Sequence, residues 1–243
     1  MKKNYQQRKV TIISEVYPQH MGDIKELKRM ILQSKLGGAD IVKLQIYSSK
    51  NLWKDTKRLY LDLNKNELFE IKEFCDKFDI ELSASVFDKE KLDWCEEINF
   101  KTYKIASRTL KENPELCEEI IKTKKRVIIS LGMYDIKKGA PYNKKNIEYM
   151  YCVSKYPTAL HEIKMPNFKS SFITGYSDHT VGVDACLFAI ANGAVLIEKH
   201  FSNNKSLNVE TQLGHLGSMN MYDLEVIRRT ADSFTLLLGN KKQ

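Results

Sequence analysis

No stretch of the chain approaches the ~20 consecutive apolar residues that a membrane span requires, so a membrane partner is not expected. The opening MKKNYQQRKVTII passes from basic residues to a strand pattern without the apolar core and small-residue cleavage site of a signal peptide, and a cytoplasmic location is expected. Cysteine is sparse: Cys75, Cys95, Cys117, Cys152 and Cys186 are odd in number, widely spaced and never in a CxxC. Neither a disulfide framework nor a zinc knuckle is suggested, and the apolar helical settings of most of them favour buried, reduced thiols. Linkers, low-complexity segments and close internal repeats are also missing, so residues 1–243 read as one domain. The formal charge is +8, but the lysines are scattered among acidic residues, and the basic runs at 122–126 and 144–145 read as solvated loops. No aromatic-basic stacking pattern accompanies them, so no nucleic-acid partner is expected. A basic protein also suits anionic small substrates.

What the chain has is alternation. Its 243 residues lie close to the roughly 250 of an eight-fold β/α barrel. Residues 10–16 read as a strand, and Asp23 opens a helix with Ile24, Leu27, Met30 and Ile31 on one face, stopped by Gly37-Gly38. Strands are expected at 41–46 and 80–86, with a helix at 66–78 between them carrying Leu68, Ile71, Phe74, Cys75 and Phe78 at helical spacing. Asp88 caps a helix with Leu92, Cys95 and Ile98; a strand follows at 102–106, Pro114 suits a helical first turn, and 126–131 is the fifth strand. Residues 132–148 are polar, with Gly139-Ala140-Pro141 inside and no apolar stripe, so the fifth helix is expected to be reduced or missing. The sixth strand is expected at 149–153, and Asn220 caps a last helix with the stripe Leu224, Ile227, Ala231, Phe234 and Leu238. Alternation on this scale predicts an α/β fold, a closed (β/α)8 TIM barrel in preference to an open doubly wound sheet.

The rest of the chain frames residues 173–201, ITGYSDHTVGVDACLFAIANGAVLIEKHF. Two strand-like runs, each closed by a histidine-bearing polar cluster, flank a helix with Val183, Cys186, Leu187 and Ile190 on one face and Gly193 as its terminator. In such a β-α-β unit the strands are parallel and about 4.8 Å apart, so His179 and His200 at their ends could share one divalent cation. Each could instead be satisfied by hydrogen bonds in the core. Two imidazoles with water and substrate oxygens suit an octahedral ion such as Mn²⁺, with Mg²⁺ or Co²⁺ as alternatives, whereas zinc usually recruits a third protein ligand. In a barrel the active face is built from the C-terminal ends of the strands. The polar residues expected there are Glu15, Lys43 with Gln45, Ser83 with Ser85, Lys104 with Ser107, Ser130, Ser154 with Tyr156, residues 177–179, and Lys199 with His200. Lysines beside serines resemble an anion site for a phosphate and a carboxylate. Glu15 reads as a proton-transfer group or as a satisfied core carboxylate. His20, His161 and His215 fall in expected loops.

Taken together, these residues resemble the sialic acid synthases, the N-acetylneuraminate synthases and their relatives for other nonulosonic acids. The resemblance rests on Ile13-Ser14-Glu15 with Gly22-Asp23, Gly38-Ala39-Asp40 leading to Val42-Lys43-Leu44-Gln45, and Tyr103-Lys104-Ile105-Ala106-Ser107. It continues through Ser130-Leu131-Gly132-Met133, Tyr156-Pro157-Thr158, GYSDHT at 175–180 and IEKHF at 197–201. It implies a metal-dependent barrel that condenses phosphoenolpyruvate with the aldehyde of an N-acylated amino sugar, releasing phosphate and a 2-keto-3-deoxy acid. The positions matching the family's metal ligands are His179 and His200. Phosphoenolpyruvate would bind at Lys43, Ser85, Lys104, Ser107, Ser130 and Ser177. Glu15 matches the catalytic carboxylate, acting with Lys43 and Lys104, while Gln45, Ser154 and Tyr156 fall on the substrate side.

The sequence also departs from the family. Its usual C-terminal antifreeze-like domain, which reaches over a partner's active site in a swapped dimer, is expected to be missing, since the 243 residues end just after the eighth helix. A homodimer or a separate protein would then complete the lid. Gly214 stands where the pattern has an aspartate, after a longer loop containing Glu210; Ser154 stands where many members have asparagine; the connection after Met133 is short. Two other readings compete: a Schiff-base aldolase using Lys104 or Lys199, and a barrel without turnover that serves as a binding or scaffolding subunit.

Overall fold

Runs of β-branched and aliphatic residues form eight short strands in a computed structural model that describes residues 9–54, 56–206 and 216–239. They are β1 (Thr11–Glu15), β2 (Ile41–Ile46), β3 (Glu81–Val86), β4 (Thr102–Ile105), β5 (Arg126–Ser130), β6 (Ile147–Cys152), β7 (Ile173–Asp178) and β8 (Leu196–His200). Each pairs in parallel with the next, and β8 closes on β1, giving the (β/α)8 TIM barrel the sequence predicts.

Capping chemistry sets the helix starts. Asp23 accepts from the backbone of Lys25 and Glu26 to open α1 (Ile24–Leu36). The short α2 (Ser49–Trp53) follows β2, and Asn64 and Glu67 form a reciprocal capping box on α3 (Lys65–Lys77). Asp88 caps α4 (Lys89–Glu97). The β4–β5 connection carries two helices, α5 (Ser107–Glu112) and α6 (Pro114–Lys122); Asn113 caps the second and Pro114 occupies its first turn. After α7 (Asp184–Ala191), Gly193 takes φ +94°, the left-handed conformation that ends a helix. Asn220 accepts from the Asp223 amide to cap α8 (Met221–Gly239), where Leu224, Ile227 and Ala231 are buried and Phe234 packs beside them. The side chain of Leu238 lies outside the described residues, as do Glu210, Gly214 and His215.

Among the described residues the β5–β6 and β6–β7 connections hold only 3-10 turns, Ile136–Lys138 and Leu160–Glu162. The expected loss of the fifth helix is therefore observed, and the sixth is reduced too. Strand β6 starts two residues before its expected position, because Asn146 and Ile147 already pair with Val127; a register shift follows between Tyr149 and Met150.

The inward face of the barrel explains where the chemistry sits. Ile13, Ile41, Ile128, Met150 and Leu196 form a separate apolar cluster on the barrel floor. Side chains two residues apart share a face of a strand. Stepping by two along these strands therefore places Glu15, Lys43, Ser130, Cys152 and Glu198 directly above that floor. Below the polar layer the barrel is plugged, so access is from the C-terminal ends.

Candidate active site

A cavity of about 300 Å³ opens over the C-terminal ends of the strands. Its lining includes Glu15, Lys43, Gln45, Ser85, Lys104, Ser107, Ser130, Ser154, Tyr156, Ser177, His179 and His200. Every site residue named from the sequence resemblance thus faces one space. Gly132 allows the wall to close: a Cβ there would lie 2.3 Å from Ser154 Oγ and 2.5 Å from Cys152 Sγ. Its amide donates to Ser107 Oγ at 3.0 Å.

Four ionisable groups form the base of the site, and all are buried. Glu15 pairs with Lys43, its neighbour in the β1–β2 register, and also accepts from the Tyr17 amide at 3.1 Å. Across the barrel, Lys104 Nζ donates to Glu198 Oε1 at 2.7 Å, and Ser177 Oγ donates to the same oxygen at 3.0 Å. Burial pushes the Glu198 carboxyl up, but Lys104 and Lys43 pull harder and bring it down to about 2. Burial draws the Lys43 ammonium down to about 8, partly opposed by Glu198 and assisted by Lys104. The two cations and two anions cancel. Two buried polar atoms of the cavity lining, Glu198 Oε2 and Ser130 Oγ, have no hydrogen-bond partner among the described residues. An unsatisfied buried group costs about 1–3 kcal/mol, so both atoms fit a ligand that supplies their partners.

The two imidazoles lie with ring centroids 5.8 Å apart, and the Tyr156 ring packs 4.1 Å from His179 and 6.1 Å from His200. His179 Nδ1 lies 2.7 Å from the Val153 carbonyl oxygen, an acceptor, so Nδ1 carries the proton and Nε2 keeps its lone pair. Burial lowers His179 to about 4, which keeps the ring neutral at pH 7. Among the described residues no group of three or more His, Cys, Asp and Glu is arranged around a metal position. The donor set fits an ion held by two imidazoles and completed by water or substrate oxygens, and does not fit a closed structural zinc site.

Lys199 is elsewhere. Strand alternation turns it to the outside of the barrel, where it is 1% exposed and its Nζ donates to Asp178 and to the Thr180 carbonyl. Asp178 also accepts from Tyr176 Oη at 2.8 Å and from Thr180 N at 2.9 Å. The expectation that Lys199 joins His200 on the active face is corrected, and with it the use of Lys199 as a Schiff-base lysine. Ser83 is corrected too: it donates to the Thr102 carbonyl in the layer below and does not line the cavity. His20 is buried in the turn after β1, and His161 lies in a 3-10 turn; neither lines the cavity.

With this geometry in place, the sequence profile of the NeuB family matches residues 30–243. The chain belongs to the NeuB family. A NeuB relative from Campylobacter jejuni, an N,N'-diacetyllegionaminic acid synthase, is 31% identical over 238 residues, covering 83% of this chain and 70% of its own. An uncharacterized protein of Methanocaldococcus jannaschii is 33% identical over 213 residues; the match takes in 81% of this chain and 63% of that protein. Among solved structures, the N-acetylneuraminic acid (sialic acid) synthetase of Leptospira borgpetersenii in complex with citrate superposes with a TM-score of 0.85 at 27% identity. That superposition covers 96% of this chain and 86% of the other.

Residues beyond those expected from the sequence complete the lining of this NeuB barrel. Glu198 was visible as the residue two before His200, hence on the same strand face, and that parity is the signal that finds it. Trp53, Phe87, Arg108 and Met133 also line the cavity mouth. Met133 closes the Ser130-Leu131-Gly132-Met133 stretch, whereas Trp53, Phe87 and Arg108 come from short helices and a loop whose placement depends on tertiary packing, and no local pattern marks them.

Proposed function

We propose that the cavity condenses phosphoenolpyruvate with a sugar aldehyde, from an N-acylated amino sugar or a relative of one, to give a 2-keto-3-deoxy acid of the nonulosonic type and phosphate. The observation that carries this reading is the neutral four-charge base, Glu15 with Lys43 and Lys104 with Glu198, facing two imidazoles across one cavity. Support also comes from the C. jejuni and L. borgpetersenii relatives, which are named as synthases of such acids.

In this reading Lys43 and Lys104 turn from their carboxylates to the phosphate and carboxylate of phosphoenolpyruvate, and Ser85, Ser107, Ser130 and Ser177 donate hydroxyls to the same anionic groups. Gln45, Ser154 and Tyr156 orient the acceptor. A divalent ion, Mn²⁺ in the first place with Mg²⁺ or Co²⁺ as alternatives, would be held by His179 and His200 and would supply Lewis acidity toward the aldehyde oxygen. C3 of phosphoenolpyruvate bonds to the aldehyde carbon, whose oxygen takes a proton and becomes a hydroxyl. Water adds at C2 as Glu15 accepts its proton. Cleavage of the C2–O bond then releases phosphate and leaves the ketone. The two protons of water end on the new hydroxyl and on phosphate.

The reading treats residues 1–243 as one synthase barrel working in the cytoplasm, where five free, buried cysteines are at home. Among the described residues no helix is long and apolar enough to cross a membrane. Lid completion by a second copy or a separate protein belongs to the same proposal.

Glu15→Gln tests the assignment. The variant is expected to retain calorimetric binding of phosphoenolpyruvate while turnover falls by about a hundredfold or more. Turnover equal to that of the unaltered protein would remove Glu15 from proton transfer.

A further inference from the structure

Deep in the cavity both lysines are matched by buried carboxylates, whereas the cation at the mouth has only a longer, solvent-exposed ion pair. Arg108, on the first turn of α5, lines the cavity with its guanidinium carbon 4.4 Å above the Trp53 ring. Trp53 is braced in turn by an edge contact from Tyr47, ring centroids 6.4 Å apart. The one carboxylate paired with Arg108 is Glu112, 3.6 Å from Nε, and that side chain is itself 55% exposed. Among the described residues no acceptor lies within hydrogen-bonding distance of the guanidinium. The indole therefore holds a planar fork of donors in place while leaving the donors unused, and such a fork matches the oxygens of a phosphate or carboxylate.

The position of Arg108 says which ligand it meets. Lys43 and Lys104 are 4% and 3% exposed at the base, whereas the Arg108 side chain is 40% exposed. An acceptor that enters from the mouth with its aldehyde toward His179, His200 and the phosphoenolpyruvate on the base leaves its far end beside Arg108, Trp53 and Met133. We propose that Arg108, held by Trp53, is a specificity-determining residue that selects an acceptor sugar carrying an oxyanion, phosphate or carboxylate, at the end remote from its aldehyde. This rests on the condensation reading and names the acceptor class for that same site.

The test measures binding and turnover separately. Isothermal titration with Mn²⁺ present and phosphoenolpyruvate omitted compares an N-acetylhexosamine, its 6-phosphate and the corresponding 6-carboxylate, using the intact chain and its Arg108→Ala and Arg108→Lys variants. A charge-assisted, two-pronged contact predicts that at least one anionic sugar binds about tenfold or more tighter than the neutral one. Arg108→Ala should bring that ratio to about one, and Arg108→Lys, a point charge without the fork, should keep only part of it. Phosphate and carboxylate arms distinguish the two sources of the oxyanion. Equal binding of neutral and anionic sugars, no binding of any of them, or a preference that survives Arg108→Ala would overturn the proposal. So would a loss in Arg108→Ala confined to phosphoenolpyruvate affinity, since that would assign the guanidinium to the other substrate. Phosphoenolpyruvate consumption is then followed with the sugar that binds best. Preference without consumption would leave the specificity assignment standing and sink the condensation reading.

Discussion

Glu198→Gln is the perturbation whose size the structure sets most directly. The carboxyl is buried, and Lys104 and Lys43 overcome the effect of burial to bring it from 4.5 to about 2. Each pKa unit corresponds to about 1.4 kcal/mol of preference for the charged form, so the ionised carboxylate contributes about 3 kcal/mol relative to a neutral group of the same shape. Glutamine is that neutral group; it keeps an oxygen for Lys104 and Ser177 but lacks the charge. The folded pKa is depressed, so the contribution is present above the unfolded value near 4.5 and is lost as pH falls through about 2. Guanidinium unfolding at pH 7 should therefore show Glu198→Gln less stable by about 3 kcal/mol, equivalent to roughly 10 °C in Tm for a domain of this size. The gap should shrink to about half by pH 3. A variant as stable as the parent at pH 7, or a gap that does not change between pH 7 and pH 3, would refute the claim that the two lysines hold this carboxylate ionised.

Two further predictions follow from neighbouring groups. Burial lowers Lys43 to about 8, so its positive charge is lost as pH rises through that value; KM for phosphoenolpyruvate should climb above about pH 8, and Lys43→Arg should flatten that limb of the profile. Asp178 and Lys199 pair on the outer face of the strands one residue before His179 and His200, fixing the two strand ends relative to each other. Asp178→Asn is expected to weaken Mn²⁺ binding by about tenfold or more, read by calorimetry without substrates, while circular dichroism shows the barrel retained; unchanged Mn²⁺ affinity would make the pair purely structural.

The barrel was legible because each strand is a short apolar run between recognisable stops, and because Asp23, Asp88, Pro114 and Asn220 mark helix starts by local chemistry alone. The lining of the site was legible for a related reason: in a parallel barrel, polar residues late in a strand have one place to gather. Ion pairing was not. Glu15 meets Lys43 through the β1–β2 register, and Lys104 meets Glu198 across the barrel, so neither contact has a sequence spacing to read. Lys199 adjoins His200 in sequence, but strand parity alternates faces at every residue and sends it to the outer face, against Asp178. The Trp53–Arg108 wall joins a five-residue helix after β2 to the first turn after β4, and its two halves carry no periodic signal of each other.

Consumption of phosphoenolpyruvate with Mn²⁺, across acylated and unacylated, neutral and anionic sugar aldehydes, with and without a chelator, tests the central claim most directly. The account predicts stoichiometric release of phosphate that depends on the sugar, stops when the chelator is added and returns with Mn²⁺. Phosphoenolpyruvate that binds normally yet is never consumed with any sugar would contradict it, as would release that is indifferent to both sugar and chelator.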